Sequence, residues 1–260
     1  MNASGKPRHT SRRYGGLAVS RSVAHFLRVD STVIHNGYDD DVFHLYPDEA
    51  RRFESLYDRR ADYINQSAVA PAAPVELDSG SNTIAWLGSF QYSSNTDGLD
   101  RLLREAGSRL RERGAVLRLI GSGATREQAI RYAGHPPVEC VGYAPSLPEA
   151  LRGCSAAVVP LWSGAGVKLK TITLMAHGLP VVGTAVGLEG IAASAALALR
   201  EQPNALVDAA MDASEAELLD ARALGIDEIV EVFSESSFHS RVLAQAQALA
   251  VARGESTRPR

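Results

Sequence analysis

The stretch of sequence best suited to chemistry consists of small residues followed by two lysines, Lys168 and Lys170, at the start of a predicted helix from about 168 to 177. The small residues are Ser163, Gly164, Ala165, Gly166 and Val167. Small side chains let the backbone approach an anion, and the free N–H groups and dipole of a helix start attract negative charge. Cations are unfavourable there unless an anion compensates them. The pattern predicts a phosphate site; the alternative is that both lysines extend into solvent.

Three other glycine-containing segments follow apolar runs in the same way. They are Gly88 with Ser89, Gly121 with Gly123, and the triplet Val141, Gly142 and Tyr143. A single glycine after a strand is more often a turn residue than part of a ligand site. Because the carboxyl ends of parallel strands meet at one edge of a sheet, four such segments together favour a ligand site at that edge.

Several common catalytic motifs are absent from the sequence. The spacing at 163–170 is not that of a Walker A loop, and no Gly-x-Gly-x-x-Gly follows the first predicted strand of the sheet. No serine lies in a nucleophile elbow, and neither a His-Glu-x-x-His motif nor a cysteine cluster occurs, so hydrolase and zinc functions lack support. His35 and His177 lie beside motif residues, but a lone histidine in such a position is more often structural.

These segments are connected by alternating strand and helix patterns. Apolar, β-branched runs predict strands at 83–88, 115–120, 138–141, 156–160 and 181–184, and helical spacing separates them. Strands joined by helical crossovers lie parallel, and strands buried on both faces show continuous apolar runs. The sequence therefore predicts an α/β fold with a doubly wound parallel sheet. From about residue 203 the pattern is mostly helical, including a terminal helix with Leu243, Ala246 and Leu249 on one face.

Composition and charge describe a folded protein with an uneven charge distribution. The chain has 260 residues, 45% of them apolar, and a formal net charge of −3, which argues against a surface built for nucleic acid. The residues before Asp30 include six basic side chains and no acidic one. This arm predicts either peripheral contact with an anionic membrane surface or an acidic partner, or a solvated terminus, which is the favoured interpretation.

The cysteines and the apolar segments bear on the cellular compartment. Cys140 and Cys154 have the spacing of neither a metal site nor a disulfide framework, a usage typical of a reducing compartment. No run approaches about 18 apolar residues, and no apolar segment follows the basic arm as in a secretory signal. We expect a cytoplasmic protein whose membrane contact is at most peripheral, at the inner face.

An ordered series of motifs resembles one known family. The motifs are VIHNGYD (33–39), LGSFQYSSN (87–95), LIGSG (119–123), VGY (141–143), AVVP (157–160), GAGVKLK (164–170), MAHGLPVV (175–182), TAVGLEG (184–190) and VFS (232–234). In this order they resemble the C-terminal, nucleotide-sugar-binding domain of the group 1 (family 4) glycosyltransferases of the GT-B fold. The resemblance implies a Rossmann-like domain over 33–250, preceded at 1–32 by the basic arm and a remnant of the interdomain region, and followed by a loose tail at 251–260.

The resemblance also implies a reaction and a set of site residues. The reaction is transfer of a sugar from a nucleoside-diphosphate sugar, with retention and without a metal or other cofactor. Lys168 and Lys170 would be the catalytic cations that stabilise the diphosphate, and Val141 to Tyr143 would border the nucleobase. The donor-binding set would comprise Gly88, Ser89, Gly121, Gly123, Val141, Gly142, Tyr143, Ser163, Gly164, Ala165, Gly166, Val167 and Thr173.

The sequence departs from the family pattern at two site positions. Thr173 stands where the family usually has a glutamate that binds the ribose hydroxyls, and Ala165 stands where a second glutamate is common. A carboxylate accepts two charge-assisted hydrogen bonds from a diol, whereas a threonine hydroxyl makes weaker, neutral ones. We therefore expect reduced donor affinity.

A further departure concerns the acceptor half of a GT-B enzyme. The matched motifs begin near the interdomain linker, so we expect the N-terminal acceptor domain to be missing from this chain and to be needed for transfer. A separate acceptor-domain chain, or self-association through the apolar face of the terminal helix, is the partner expected. The alternative functions are a non-catalytic nucleotide-binding or assembly module and, less favoured, a sugar-nucleotide epimerase.

Overall fold

The computed structural model describes residues 74–234 except Pro136, together with Ser237, Ser240, Arg241, Leu243, Ala244 and two short strands near the N-terminus. These strands, β1 (Gly16–Ala18) and β2 (Ser31–Val33), pair in parallel with each other. Apart from them, the basic arm predicted over 1–32 lies outside the described residues. The tail predicted at 251–260 and most of the predicted terminal helix also lie outside them.

The main sheet has six strands, all parallel. They are β3 (Thr83–Leu87), β4 (Val116–Ile120), β5 (Val138–Gly142), β6 (Ala156–Val159), β7 (Val181–Gly183) and β8 (Ala198–Leu199). Over the described residues 74–234, six α-helices accompany them, namely α1 (Ser93–Glu112), α2 (Arg126–Ala133), α3 (Leu147–Leu151), α4 (Leu169–Ala176), α5 (Pro203–Met211) and α6 (Glu215–Glu228). A five-residue π-helical turn, Ile229–Phe233, continues α6.

The strand order is β5-β4-β3-β6-β7-β8. The chain builds outward from β3 to β5, crosses back to β6 beside β3, and then builds outward in the other direction. This is the doubly wound arrangement predicted from the sequence, with its topological switch point between β3 and β6. The switch point brings the loops after these two strands together at the carboxyl edge.

The central strands are buried on both faces, which explains their continuous apolar sequence. In β6, Ala156 and Val158 belong to the core on one face of the sheet, and Ala157 and Val159 belong to the core on the other. This alternation follows from the two-residue period of a strand. Both faces are therefore covered, as expected of a parallel sheet.

Helix α1 buries the residues whose spacing predicted it. Leu99, Leu102, Leu103, Ala106 and Leu110 all lie in the core. Gly98, one turn from its start, faces the Pro160 carbonyl so closely that no Cβ would fit. This close approach fixes the helix against the segment that leaves β6.

The helices after β8 complete one side of the fold. Helix α6 packs against α4, and Phe233 in the π-helical turn is fully buried. Leu243, one of the three apolar residues predicted on the terminal helix face, is 62% exposed; the other two lie outside the described residues. None of the helices in the described part of the chain combines the length and apolarity needed to cross a bilayer.

Candidate functional site

The glycine-containing segments lie together at the carboxyl edge of the sheet. Main-chain hydrogen bonds connect the first three of them: the Gly88 N–H donates to the Ile120 carbonyl at 3.0 Å, and the Gly121 N–H donates to the Gly142 carbonyl at 2.8 Å. The edge thus holds the predicted site residues that follow β3, β4 and β5, which are Gly88, Ser89, Gly121, Gly123, Val141, Gly142 and Tyr143.

This edge is wide enough for an extended ligand. Two strands, β4 and β3, separate β5 from β6, which at about 4.8 Å per strand corresponds to roughly 14 Å. At the β5 end, Val141 and Tyr143 are 38% and 52% exposed. An apolar, partly aromatic surface therefore lies at one end of the edge, and the segment with the two lysines lies near its middle.

The loop after β6 presents its backbone to solvent. Ser163, Gly164 and Ala165 are exposed, whereas Val167 packs against the core below the loop. Gly164 and Gly166 have φ values of 117° and 81°, which residues with a side chain rarely adopt. The glycines are thus required by the path of the chain, and that path leaves the main chain of 163–165 accessible to a ligand.

Lys168 is the residue that precedes α4, and its ammonium group turns back to the loop. The group donates to the Gly166 carbonyl and lies 3.3 Å from the Glu189 carboxylate. The Lys168 and Glu189 side chains are only 12% and 20% exposed. The alternative in which the lysine extends into solvent is therefore wrong for Lys168.

Lys170 makes its contact across the switch point. Its ammonium group donates to the Asn95 side-chain oxygen in α1 and lies 5.6 Å from the centroid of the Trp86 ring in β3. Burial, and then the charge of Lys168, lower the pKa of Lys170 to about 8. Like Lys168, this residue is held by the protein and does not extend into solvent.

Thr173 lies in α4 beneath the surface of the site. It is 5% exposed, and its carbonyl oxygen is 2.8 Å from His177 Nδ1. Its hydroxyl therefore offers little surface to a ligand. His177 is also buried, and burial lowers its pKa; the expectation that it is structural agrees with this position.

Two side chains that sequence reasoning did not assign to the site contact its lysines. Asn95 accepts from Lys170, and Glu189 pairs with Lys168. Glu189 follows β7, whose carboxyl end also lies at this edge, so its position after a strand was a usable signal. Asn95 also had a signal, since it ends the family-like motif at 87–95, but its contact with Lys170, 75 residues away, could not be predicted from the sequence.

A cleft of about 310 Å³ lies beside the start of the 163–167 loop. In its wall, the Arg101 guanidinium lies 4.1 Å above the Trp162 ring, and the Trp162 indole N–H donates to the Glu201 carbonyl at 3.0 Å. These contacts fix Trp162 in place. The loop therefore begins from an anchored residue and ends at the partly buried Val167.

Acidic and metal-ligating side chains do not cluster in the region described. Over 74–234, no group of three or more histidine, cysteine, aspartate or glutamate side chains is arranged to hold a metal ion. The cations described at this edge are Lys168 and Lys170.

Comparison with protein families gives one match. The model described as "Glycosyl transferases group 1" matches residues 81–216, just over half of the chain. The match covers β3 to the start of α6 and so includes every segment of the carboxyl edge described above. No curated protein sequence matches this chain.

Comparison with solved structures shows the same fold in several proteins of low identity. TarM of S. aureus is 14% identical with a TM-score of 0.62, over 88% of this chain and 43% of TarM. HepE of Anabaena is 12% identical with a TM-score of 0.60, over 89% and 63%. A glycosyltransferase from Rickettsia africae is 16% identical with a TM-score of 0.59, over 88% and 61%. The chain thus spans less than two thirds of each of these proteins.

Proposed function

This chain belongs to the group 1 glycosyl transferases, and from that premise we propose that it binds a nucleoside-diphosphate sugar at the carboxyl edge of its sheet, for transfer of the sugar to an acceptor. The observation that carries the proposal is the pair of lysines at the start of α4, next to an accessible loop of small residues: Lys168 is held at the loop and Lys170 by Asn95. Lys168 already lies beside the Glu189 carboxylate, whereas Lys170 contacts the neutral Asn95 amide and Trp86 ring. A cation at a helix start is unfavourable unless an anion compensates it, and a diphosphate would be the anion for Lys170.

The ligands of similar folds support the choice of donor. TarM was solved with UDP, and HepE was solved with UDP-glucose. On this basis the diphosphate would lie against residues 163–167 and Lys168, with Lys170 on its other side. The nucleobase would lie along the edge toward Val141 and Tyr143, whose exposed side chains suit an aromatic ring.

In the proposed transfer, the bond between the anomeric carbon of the sugar and the diphosphate oxygen breaks, and its electron pair leaves with the diphosphate. The acceptor oxygen forms the new bond to the anomeric carbon, and its proton passes to the departing diphosphate oxygen. Lys168, Lys170 and the free N–H groups at the start of α4 would stabilise the charge on the leaving diphosphate, a role that a divalent ion fills in other enzymes. We therefore propose a metal-independent reaction, with retention as the resemblance implies.

The acceptor is not accounted for by the residues at this edge. The resemblance is to enzymes in which a second Rossmann-like domain faces the donor site, so we propose that such a domain binds the acceptor and that transfer depends on it. One observation favours a second function, a module that binds a nucleotide without transfer. Thr173 replaces the usual glutamate and is 5% exposed, so the hydrogen bonds to the ribose would be weak or absent.

Calorimetric titration of the chain with UDP, GDP and ADP tests the donor site. We expect one nucleotide to bind at micromolar to low-millimolar affinity, about 4 to 8 kcal/mol, and Lys168→Ala to weaken it at least ten-fold. Glu76→Gln, an exposed change before β3, serves as a folded control. If no nucleotide binds to the unaltered chain, the proposed function is wrong.

Release of free nucleoside diphosphate then separates the two functions. Turnover above background from the nucleotide sugar, abolished by Lys168→Ala, supports the transferase. Tight nucleotide binding without turnover, with acceptor and acceptor domain supplied, supports the binding module.

A further inference from the structure

Asn95 connects the two segments that meet at the switch point. It is the third residue of α1 and is 7% exposed. The Asn95 Nδ2 group donates to the Ser89 carbonyl at 2.8 Å, and the Asn95 Oδ1 atom accepts from the Lys170 ammonium. A carbonyl only accepts and an ammonium only donates, so both bonds require a side chain with one donor and one acceptor. An amide of this length meets that requirement, whereas a carboxylate or an aliphatic side chain does not.

The two lysines differ in the charge of the groups that contact their ammonium groups. Lys168 lies beside a carboxylate, that of Glu189. Lys170 faces two neutral groups, the Asn95 amide in α1 and the Trp86 ring in β3. The charged group that acts on Lys170 from its own segment is Lys168, which is also a cation. The charge on Lys170 is therefore held in place but is not neutralised by these contacts.

We propose that Asn95 is a positioning residue for the anion site: its neutral amide fixes the Lys170 ammonium at the switch point and leaves the positive charge available to a nucleoside diphosphate. The inference rests on the proposed function. It has a direct consequence for protonation. Because burial and Lys168 lower the pKa of Lys170 to about 8, Lys170 loses its proton in alkaline solution, and a bound diphosphate favours the protonated form. Nucleotide binding is therefore coupled to proton uptake.

The first experiment measures the protonation of Lys170 directly. Lysine occurs at only three positions in the chain, 6, 168 and 170, so lysine labelled with ¹³C at the ε-carbon gives three resonances, assigned with Lys6→Arg and Lys168→Arg. We expect the Lys170 resonance to titrate near pH 8 in the unaltered chain. In Asn95→Asp the new carboxylate raises this midpoint by at least one pH unit, and in Asn95→Ala the resonance broadens or shifts as the tether is lost. A Lys170 titration that is the same in all three folded proteins would overturn the proposal.

The second experiment needs no change at Asn95 and covers the case in which both variants fail to fold. UDP affinity is measured between pH 7 and 9 in the unaltered chain and in Lys170→Arg, whose guanidinium stays charged throughout. We expect affinity to fall about ten-fold in the unaltered chain and to change less in Lys170→Arg; any ionisation of UDP itself is common to both. Parallel pH profiles would overturn the proposal. If UDP does not bind at any pH, the proposed function fails, and the labelled-lysine titration still decides the role of Asn95.

Discussion

The contact between Lys168 and Glu189 leads to a prediction with opposite signs for binding and stability. The Glu189 carboxylate lies 3.3 Å from the Lys168 ammonium, with both side chains largely buried. A diphosphate that reaches Lys168 must share this cation with Glu189 and also lie close to its negative charge. We therefore expect Glu189→Gln, which keeps the shape and removes the charge, to strengthen nucleotide binding while it weakens the folded state.

The size of the effect follows from the geometry. A phosphate on the far side of the ammonium would lie about 6 Å from the carboxylate, where the repulsion is about 0.7 kcal/mol per phosphate charge in a water-like medium and more where water is excluded. Two charges give about 1.4 kcal/mol, or roughly ten-fold in affinity. The ion pair itself contributes on the order of 1 kcal/mol to folding after desolvation, and this contribution is lost in the variant.

Calorimetry with UDP at neutral pH and low salt measures the change in nucleotide affinity, and urea denaturation measures the change in the free energy of unfolding. Glu76→Gln is the matched control, because it makes the same change at an exposed position before β3. We expect it to alter neither quantity. A Glu189→Gln protein that binds UDP no better than the unaltered chain, or more weakly, would refute the reasoning and indicate that the carboxylate helps to place Lys168 or contacts the ligand itself.

Two further predictions concern the framework that holds the site. Gly98→Ala places a Cβ against the Pro160 carbonyl and should lower the free energy of unfolding by about 1 to 3 kcal/mol. Gly107→Ala in the same helix, where the nearest atom to a new Cβ lies 3.9 Å away, should raise the free energy of unfolding by up to about 1 kcal/mol. Equal effects of the two changes in urea denaturation would contradict the packing described. Burial lowers the pKa of His177, so below a pH of about 6.5 the unfolded chain binds the proton more readily and stability falls as pH falls, by up to about 1.4 kcal/mol per pH unit. His177→Gln should show a shallower loss between pH 7 and 5, and an unchanged slope would mean that His177 is not the group responsible.

The central strands were predictable because each is a short apolar run that ends at a glycine or a loop. The segments at 115–120 and 156–160 lie within one residue of β4 and β6 at each end. Strand β8 was not predicted, because Ala198–Leu199 is only two residues long and ends a run of alanine and leucine that contains no β-branched residue and no strand period. Its position is set by pairing with β7, which is a property of the assembled sheet.

The candidate site was predictable where its signal is local. Glycine, small residues and lysine at a helix start are neighbours in sequence, and the structure places them as a group at the carboxyl edge. The partners of the two lysines were not predictable, because the Asn95 to Lys170 contact joins residues 75 positions apart, and Glu189 reaches Lys168 across β7. A motif specifies residue types, whereas the pairing and protonation of a lysine depend on the groups that the fold places around its ammonium group.

The strand order also determines when, during folding, the anion site can form. Strands β3, β4 and β5 pair through connections close in sequence, whereas the loop after β3 meets the segment after β6 only when contacts such as the one between Asn95 and Lys170 close a span of 75 residues. Contacts of such long sequence separation are slow to form because the chain loses entropy before they stabilise it. A partly folded chain in which only β3 to β5 have assembled would contain half of the edge and neither lysine in place. Nucleotide binding would therefore require that the whole sheet has formed. During refolding, the recovery of nucleotide binding should lag behind the recovery of secondary structure.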